Sequence, residues 1–196
     1  MIPHFFMIEG HDHYIFPMVN LPTQITLSRL LGIPFIFYFL AQSSPSSHWA
    51  GLAVFLLVAG TDWLDGYLAR KWDQVTDLGK FLDPLVDKLL IFAPLLVLVE
   101  WGTVPAWGVF LMLGRELAIA GWRVNPNFVG QDVPGANTLG KVKTVLQIVA
   151  ITALIAPIDN NNWLYFSQWL FWLAVLLTLI SGIIYLVTPF WRRHPK

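Results

Sequence analysis

A chain of 196 residues suits one ordinary domain and is short for two. Hydrophobic residues make up 56% of it and charged residues only 12%, against roughly 25% charged in soluble globular chains, which excludes disorder and indicates a polytopic membrane protein. The 12 Lys+Arg balance the 12 Asp+Glu, so no global basic field recruits nucleic acid, and the absence of Cys removes disulfides, thiolate zinc sites and cysteine nucleophiles.

In chain order, residues 1–21 open with the apolar Met1-Ile2-Pro3-His4-Phe5-Phe6 but carry no basic n-region, long apolar stretch or small-residue cleavage site. They read as a surface or disordered segment rather than a secretory signal. Residues 22–191 then supply six runs near the length of about 20 apolar residues that a spanning helix needs: Pro22 to Ala41, Trp49 to Arg70, Leu78 to Val99, Val104 to Trp122, Thr138 to Ala156 and Phe166 to Phe190. Turn-forming stretches separate them, namely Ser43 to Ser47, Trp101-Gly102-Thr103, Asn125 to Asn137 and Pro157 to Asn162. Residues 192–196 form a basic tail. The expected fold is an all-α integral membrane protein of six transmembrane helices.

Cytoplasmic flanks are enriched in Lys and Arg. With the N-terminus in the cytoplasm, Arg29, Arg70, Lys71, Lys80, Lys88, Arg115, Arg123, Lys141, Lys143, Arg192, Arg193 and Lys196 all fall on or toward that side, and the opposite loops hold no cation. Both termini are therefore expected to be cytoplasmic.

Charge within the runs carries the functional signal, because ionisable groups in a bilayer are costly and mark functional sites by default. Asp62, Asp65, Gly66 and Ala69 are spaced i, i+3, i+4, i+7 and share one helix face. Gly79, Asp83 and Asp87 repeat at i, i+4, i+8 on the next helix, and the short turn Lys71 to Asp77 lets the two stripes face each other across a hairpin. Four carboxylates held that close repel one another strongly unless cations neutralise them. An oxygen-only donor set suits Mg²⁺ or Mn²⁺ rather than Zn²⁺, and a pair of such ions commonly clamps the attacking and leaving oxygens of a phosphoryl displacement. The small residues Gly66, Ala69 and Gly79 leave room for a nucleotide against the helix backbones, with Arg70 available to a phosphate. Chemistry at a pyrophosphate is the reading these residues give.

The pattern Asp62-x-x-Asp65-Gly66-x-x-Ala69-Arg70, eight residues, then Gly79-x-x-x-Asp83-x-x-x-Asp87 resembles the complete signature of the CDP-alcohol phosphotransferases. Asn20-Leu21-Pro22 with Thr26 and Arg29, Gly114-Arg115-Glu116 followed by Arg123, and Gly140-Lys141-Val142-Lys143-Thr144 are similar to the bacterial branch of that family that forms phosphatidylglycerophosphate. The resemblance covers roughly Asn20 onward. It implies a membrane enzyme of the bacterial cytoplasmic membrane, usually a homodimer, with its active site open to the cytoplasm. By the same resemblance Asp62, Asp65, Asp83 and Asp87 would ligate two divalent metal ions, Mg²⁺ or Mn²⁺, with Asp87 also the general base. Gly66, Ala69, Arg70, Gly79 and Thr26 would contact the CDP moiety of CDP-diacylglycerol. Arg115, Arg123, Lys141 and Lys143 would hold the phosphate of glycerol 3-phosphate, and a physical argument runs alongside: four cations on or beside two consecutive spans need an anion, and Glu116 alone cannot neutralise them.

Departures from the family pattern are Thr23, where Asn is common, and the Pro- and Gly-rich stretch Val124 to Asn137, where more continuous helix is expected. Other readings stay open. Gly66, Ala69 and Gly79 also suit close helix packing, and Lys141 and Lys143 also suit a topogenic role like that of the tail cations. The acceptor could be inositol phosphate, serine or phosphatidylglycerol with the same chemistry. An ion-coupled transporter would use buried carboxylates as cation sites, but no inverted repeat or matched pair of broken helices accompanies them.

Overall fold

The computed structural model describes residues 21–72, 77–124 and 136–192, with side chains described over 24, 26–61, 82–122 and 139–187. Among these residues the chain is all-helical: α1 (Leu21–Leu40), α2 (Pro45–Trp72), α3 (Asp77–Glu100), α4 (Ala106–Val124), α5 (Ala136–Ile155) and α6 (Asn161–Arg192). Each helix coincides with one of the expected apolar runs. The surface segment 1–20, the centre of the α2–α3 turn, most of the Pro- and Gly-rich stretch and the last four residues lie outside the described residues.

Capping chemistry explains where the boundaries differ from the apolar runs. α2 begins inside the Ser-rich stretch, because the Ser44 hydroxyl accepts a hydrogen bond from the Ser47 backbone N–H at 3.1 Å. Pro45 follows at the first helical position, where its fixed φ fits and its missing N–H would have had no helical partner. α6 likewise starts at Asn161 because Asn160 Oδ1 accepts from the Asn162 N–H at 2.8 Å. α3 stops at a left-handed Gly102 with φ of 69°. There the Gly102 N–H bonds to Val99 O at 2.9 Å and the Thr103 N–H to Leu98 O at 3.0 Å, which satisfies two carbonyls at the helix end.

α1 packs against both α2 and α3, and among the described residues it does so more extensively than those two pack against each other. The hairpin expected to bring α2 and α3 face to face is thus bridged by α1. α6 lies on α5 and α4, while α3 joins the two halves through α4 and α5. Ile36, Phe55, Leu98, Ile151, Phe171 and Ala174 lie at the centre of the shared core, each fully buried or nearly so.

The exterior is apolar as well: Leu31 (68%), Leu57 (71%), Phe110 (69%) and Ile183 (62%) are exposed. A water-soluble bundle places charge there, whereas lipid accepts an apolar outer surface without cost. On length and composition alone, one helix among the described residues, Asn161–Val187 with mean hydropathy 2.5, is apolar enough to cross a bilayer. The other runs are diluted by charges, and those charges are what position the site.

One end of the bundle is neutral. Trp163 Nε1 donates to Ala153 O at 2.9 Å, Gln168 Nε2 donates to Thr103 O at 3.0 Å, and the His48 and Trp101 rings meet at 4.6 Å. These contacts join the α1–α2, α3–α4 and α5–α6 connections. Asp83, Asp87, Arg115 and Lys143 all lie on the helix segments leading to the opposite end.

Candidate active site

Thr26 and Arg29 stand three residues apart on α1, and Asp83 and Asp87 four apart on α3, so each pair lines one helix face. The two faces meet. Thr26 Oγ1 donates to Asp83 Oδ1 at 2.5 Å. Arg29 Nη1 donates to Asp87 Oδ1 at 2.7 Å, and its Nη2 lies 3.5 Å from Asp83 Oδ1. Arg29 is 1% exposed, whereas the carboxylate side chains are 49% and 46% exposed. A cation buried so completely is tolerated only when paired and hydrogen-bonded. Here the guanidinium spans two carboxylates from the core side while both remain open toward the helix ends.

The donor set of this pair is oxygen only, which fits a hard divalent cation such as Mg²⁺ or Mn²⁺. Arg29 brings one positive charge to two carboxylates, so the pair retains a net negative charge. Among the described residues no three His, Asp or Glu side chains converge. The further expected ligands, Asp62 and Asp65, are on the last turns of α2, where the helix preserves their i, i+3 spacing but the side chains lie outside the described residues. The same holds for Gly66, Ala69 and Arg70 on α2, for Gly79 in the first turn of α3, and for Arg123 near the end of α4.

A second cluster forms between α4, α5 and α6. Glu116 accepts from Arg115 Nη1 at 3.1 Å and from Lys143 Nζ. Arg115 Nη2 donates to Ser181 Oγ on α6 at 3.0 Å. Two cations thus share one carboxylate, leaving the group net positive, and Lys88 of α3 is close enough to Lys143 to interact with it electrostatically. Lys88 itself is anchored by donation from Nζ to Pro84 O at 3.0 Å. It stands one residue beyond Asp87, so α3 carries the carboxylate pair and also borders the cationic group. Lys141 is exposed while Lys143 is buried, as expected for positions about 200° apart around a helix. Of the four expected phosphate contacts, Arg115 and Lys143 are therefore together and Lys141 points elsewhere.

Sequence reasoning treated Arg29 as one cytoplasmic cation among twelve and gave it no site role. Its signal was available, since it is a charge three residues from Thr26 within an apolar run. Ser181 and Gly182 carried no signal, because a Ser-Gly pair in an apolar helix is ordinary in membrane proteins.

A helical bundle with an apolar exterior, a half-open carboxylate pair and a neighbouring cationic cluster defines a membrane-helix enzyme that handles anionic, metal-binding substrates. The chain belongs to the CDP-alcohol phosphatidyltransferase family, whose model matches residues 19–180. Its relatives include a protein of Bacillus subtilis named CDP-diacylglycerol--glycerol-3-phosphate 3-phosphatidyltransferase, 42% identical over 180 residues that cover 84% of this chain and 92% of the relative. Proteins with the same name from Rickettsia bellii (36% identical, 85% and 93% covered) and Shigella flexneri serotype 5b (39%, 85% and 93%) are similar over the same extent.

Proposed function

We propose that this chain transfers the phosphatidyl group of CDP-diacylglycerol to sn-glycerol 3-phosphate, forming phosphatidylglycerophosphate and CMP in phospholipid biosynthesis. The family membership and the shared name of relatives at 34–42% identity support the reaction. The observation that carries the mechanism is the meeting of Thr26 and Arg29 with Asp83 and Asp87, which preorganises a carboxylate pair beside the cationic Arg115–Glu116–Lys143 group.

In this mechanism Asp62, Asp65, Asp83 and Asp87 hold two divalent ions, Mg²⁺ or Mn²⁺. When bound, the ions neutralise the pyrophosphate and stabilise the attacking and leaving oxygens. Gly66, Ala69 and Gly79 let the cytidine nucleotide approach the helix backbones, and Arg70 meets a phosphate. Thr26 contributes to the same wall while holding Asp83. Arg115, Lys143 and Arg123 fix the acceptor phosphate, with Lys141 as an outer contact. Asp87 takes the proton from the acceptor hydroxyl as its oxygen attacks the β-phosphorus. The bond from that phosphorus to the oxygen bridging to the α-phosphate breaks, and CMP departs with the electron pair. Arg29 holds Asp87 Oδ1, so the base is oriented before substrate arrives.

All six helices span the bacterial cytoplasmic membrane in this reading, with both termini and the charged end cytoplasmic and the protein a homodimer. The apolar exterior and the clustering of cations at one end support that arrangement. A panel of radiolabelled acceptors with CDP-diacylglycerol tests the substrate. Incorporation from glycerol 3-phosphate but not from serine, inositol phosphate or phosphatidylglycerol is expected, and preference for another acceptor overturns the assignment.

A further inference from the structure

α6 contributes no residue to the reaction proposed above, yet it touches Arg115 at two consecutive positions. The Ser181 hydroxyl is 3% exposed and donates its proton to Thr178 O at 2.9 Å. Its lone pairs are therefore what meet Arg115, accepting from Nη2 at 3.0 Å. At the next position a Cβ on Gly182 would lie 2.7 Å from Arg115 Cγ, 3.2 Å from Nε and 3.5 Å from Cδ. All three nearest atoms belong to that one side chain. Cγ is close to the root of the side chain, so a methyl group at 182 displaces the whole guanidinium rather than its tip.

The register of this contact is fixed by a neutral pair one turn away. Thr178 Oγ1 donates to Ala174 O at 2.7 Å and accepts from Gln147 Nε2 on α5 at 3.1 Å, and both residues are buried. Gln147 lies four residues from Lys143 on the same face of α5. A closed polar circuit results. Lys143 and Arg115 meet at Glu116, Arg115 meets α6 at Ser181, and α6 meets α5 again at Gln147. Each polar group with a partner in this circuit limits where its neighbour can move, so the orientation of Arg115 is set by α6 as much as by Glu116.

We propose that Ser181 and Gly182 of α6 are positioning residues for the acceptor anion: Gly182 opens the slot through which the Arg115 side chain passes, and Ser181 fixes its terminal nitrogen. This rests on the reading of Arg115 as a contact to the acceptor phosphate. The pair sets affinity for the acceptor and leaves the donor nucleotide unaffected, because the CDP-binding positions belong to α1, α2 and α3.

The test is a double-mutant cycle in the full-length protein in detergent micelles. Gly182→Ala is expected to raise KM for glycerol 3-phosphate about tenfold, the loss of roughly one charge-assisted hydrogen bond, with kcat and KM for CDP-diacylglycerol within about twofold of wild type. Ser181→Ala acts in the same direction and carries the same cycle should Gly182→Ala fail to insert. In an Arg115→Ala background neither change is expected to raise the acceptor KM further. Equal effects on both substrates, or full additivity with Arg115→Ala, overturn the positioning role. An Arg115→Ala variant with unchanged acceptor KM instead overturns the acceptor reading itself. A raised KM there with none in Gly182→Ala or Ser181→Ala overturns only the part assigned to α6.

Discussion

Replacing Arg29 by Met removes the buried charge that joins α1 to the carboxylate pair while keeping an unbranched stem of similar bulk. Two contacts are lost, the 2.7 Å hydrogen bond to Asp87 Oδ1 and the longer 3.5 Å approach to Asp83 Oδ1. A hydrogen bond to a charged partner contributes about 1.5–3 kcal/mol. Asp83 and Asp87 are 49% and 46% exposed, so water replaces part of what the guanidinium supplied, and a destabilisation of about 1.5–2 kcal/mol is expected. The effect on turnover is larger, because both carboxylates lose their common anchor and small displacements of reacting groups cost about 10²-fold. Arg29→Lys keeps the charge but offers a point ammonium where a planar fork reaches two carboxylates, so it falls between wild type and Arg29→Met. Thermal unfolding and CMP release, measured on the same detergent-solubilised protein, give both quantities. Turnover of Arg29→Met within about twofold of wild type, against the roughly 10²-fold loss expected, would refute the argument that Arg29 orients the pair.

Chelation by EDTA is expected to abolish CMP release and Mg²⁺ or Mn²⁺ to restore it, and full turnover in chelator would remove the divalent ions from the mechanism. Asp62→Asn, Asp65→Asn and Asp83→Asn each reduce CMP release by roughly 10²-fold or more while leaving the helices inserted; near-normal release in any one removes that residue from the ligand set. Asp87→Asn stops transfer, with a loss of about 10²- to 10⁴-fold, yet still permits binding of CDP-diacylglycerol in equilibrium dialysis; normal transfer would place the base elsewhere. Lys143→Ala raises KM for glycerol 3-phosphate about tenfold or more, and Lys141→Ala much less, because Lys143 is buried against Glu116 and Lys141 is exposed; equal effects would contradict the geometry. Gly102→Ala places a side chain at φ of 69° with nothing else within 4 Å. It should lower stability by about 1 kcal/mol through backbone strain alone, visible as a fall of about 2–4 °C in Tm with unchanged kinetics.

The helices were legible because apolar runs of spanning length and the turn residues between them are local properties of the chain. Boundaries moved only where capping chemistry outweighed the pattern, as at Ser44-Pro45 and Asn160-Asn161. The spacing of Asp83 and Asp87 on one stripe was equally legible, since helical periodicity alone places them together. Which element would face them was not. The short turn suggested α2, yet α1 supplies Thr26 and Arg29, and a pairing between residues 57 and 58 positions apart leaves no local trace. The cationic group shows the same limit. Arg115, Glu116 and Lys143 were visible as charges in apolar surroundings, but the sharing of Glu116 between two cations and the contact with Ser181, 66 positions from Arg115, depend on the packing of three helices. Lys141 and Lys143 were grouped because they are neighbours in sequence, and the helix turns them apart.

The most direct measurement is the balance of products formed by purified protein in mixed micelles of CDP-diacylglycerol with added glycerol 3-phosphate. One CMP released for each phosphatidylglycerophosphate identified by mass spectrometry, with neither formed when the acceptor is omitted, is the predicted result. CMP release that does not depend on glycerol 3-phosphate, or a phosphatidyl product carrying a different head group, would contradict it.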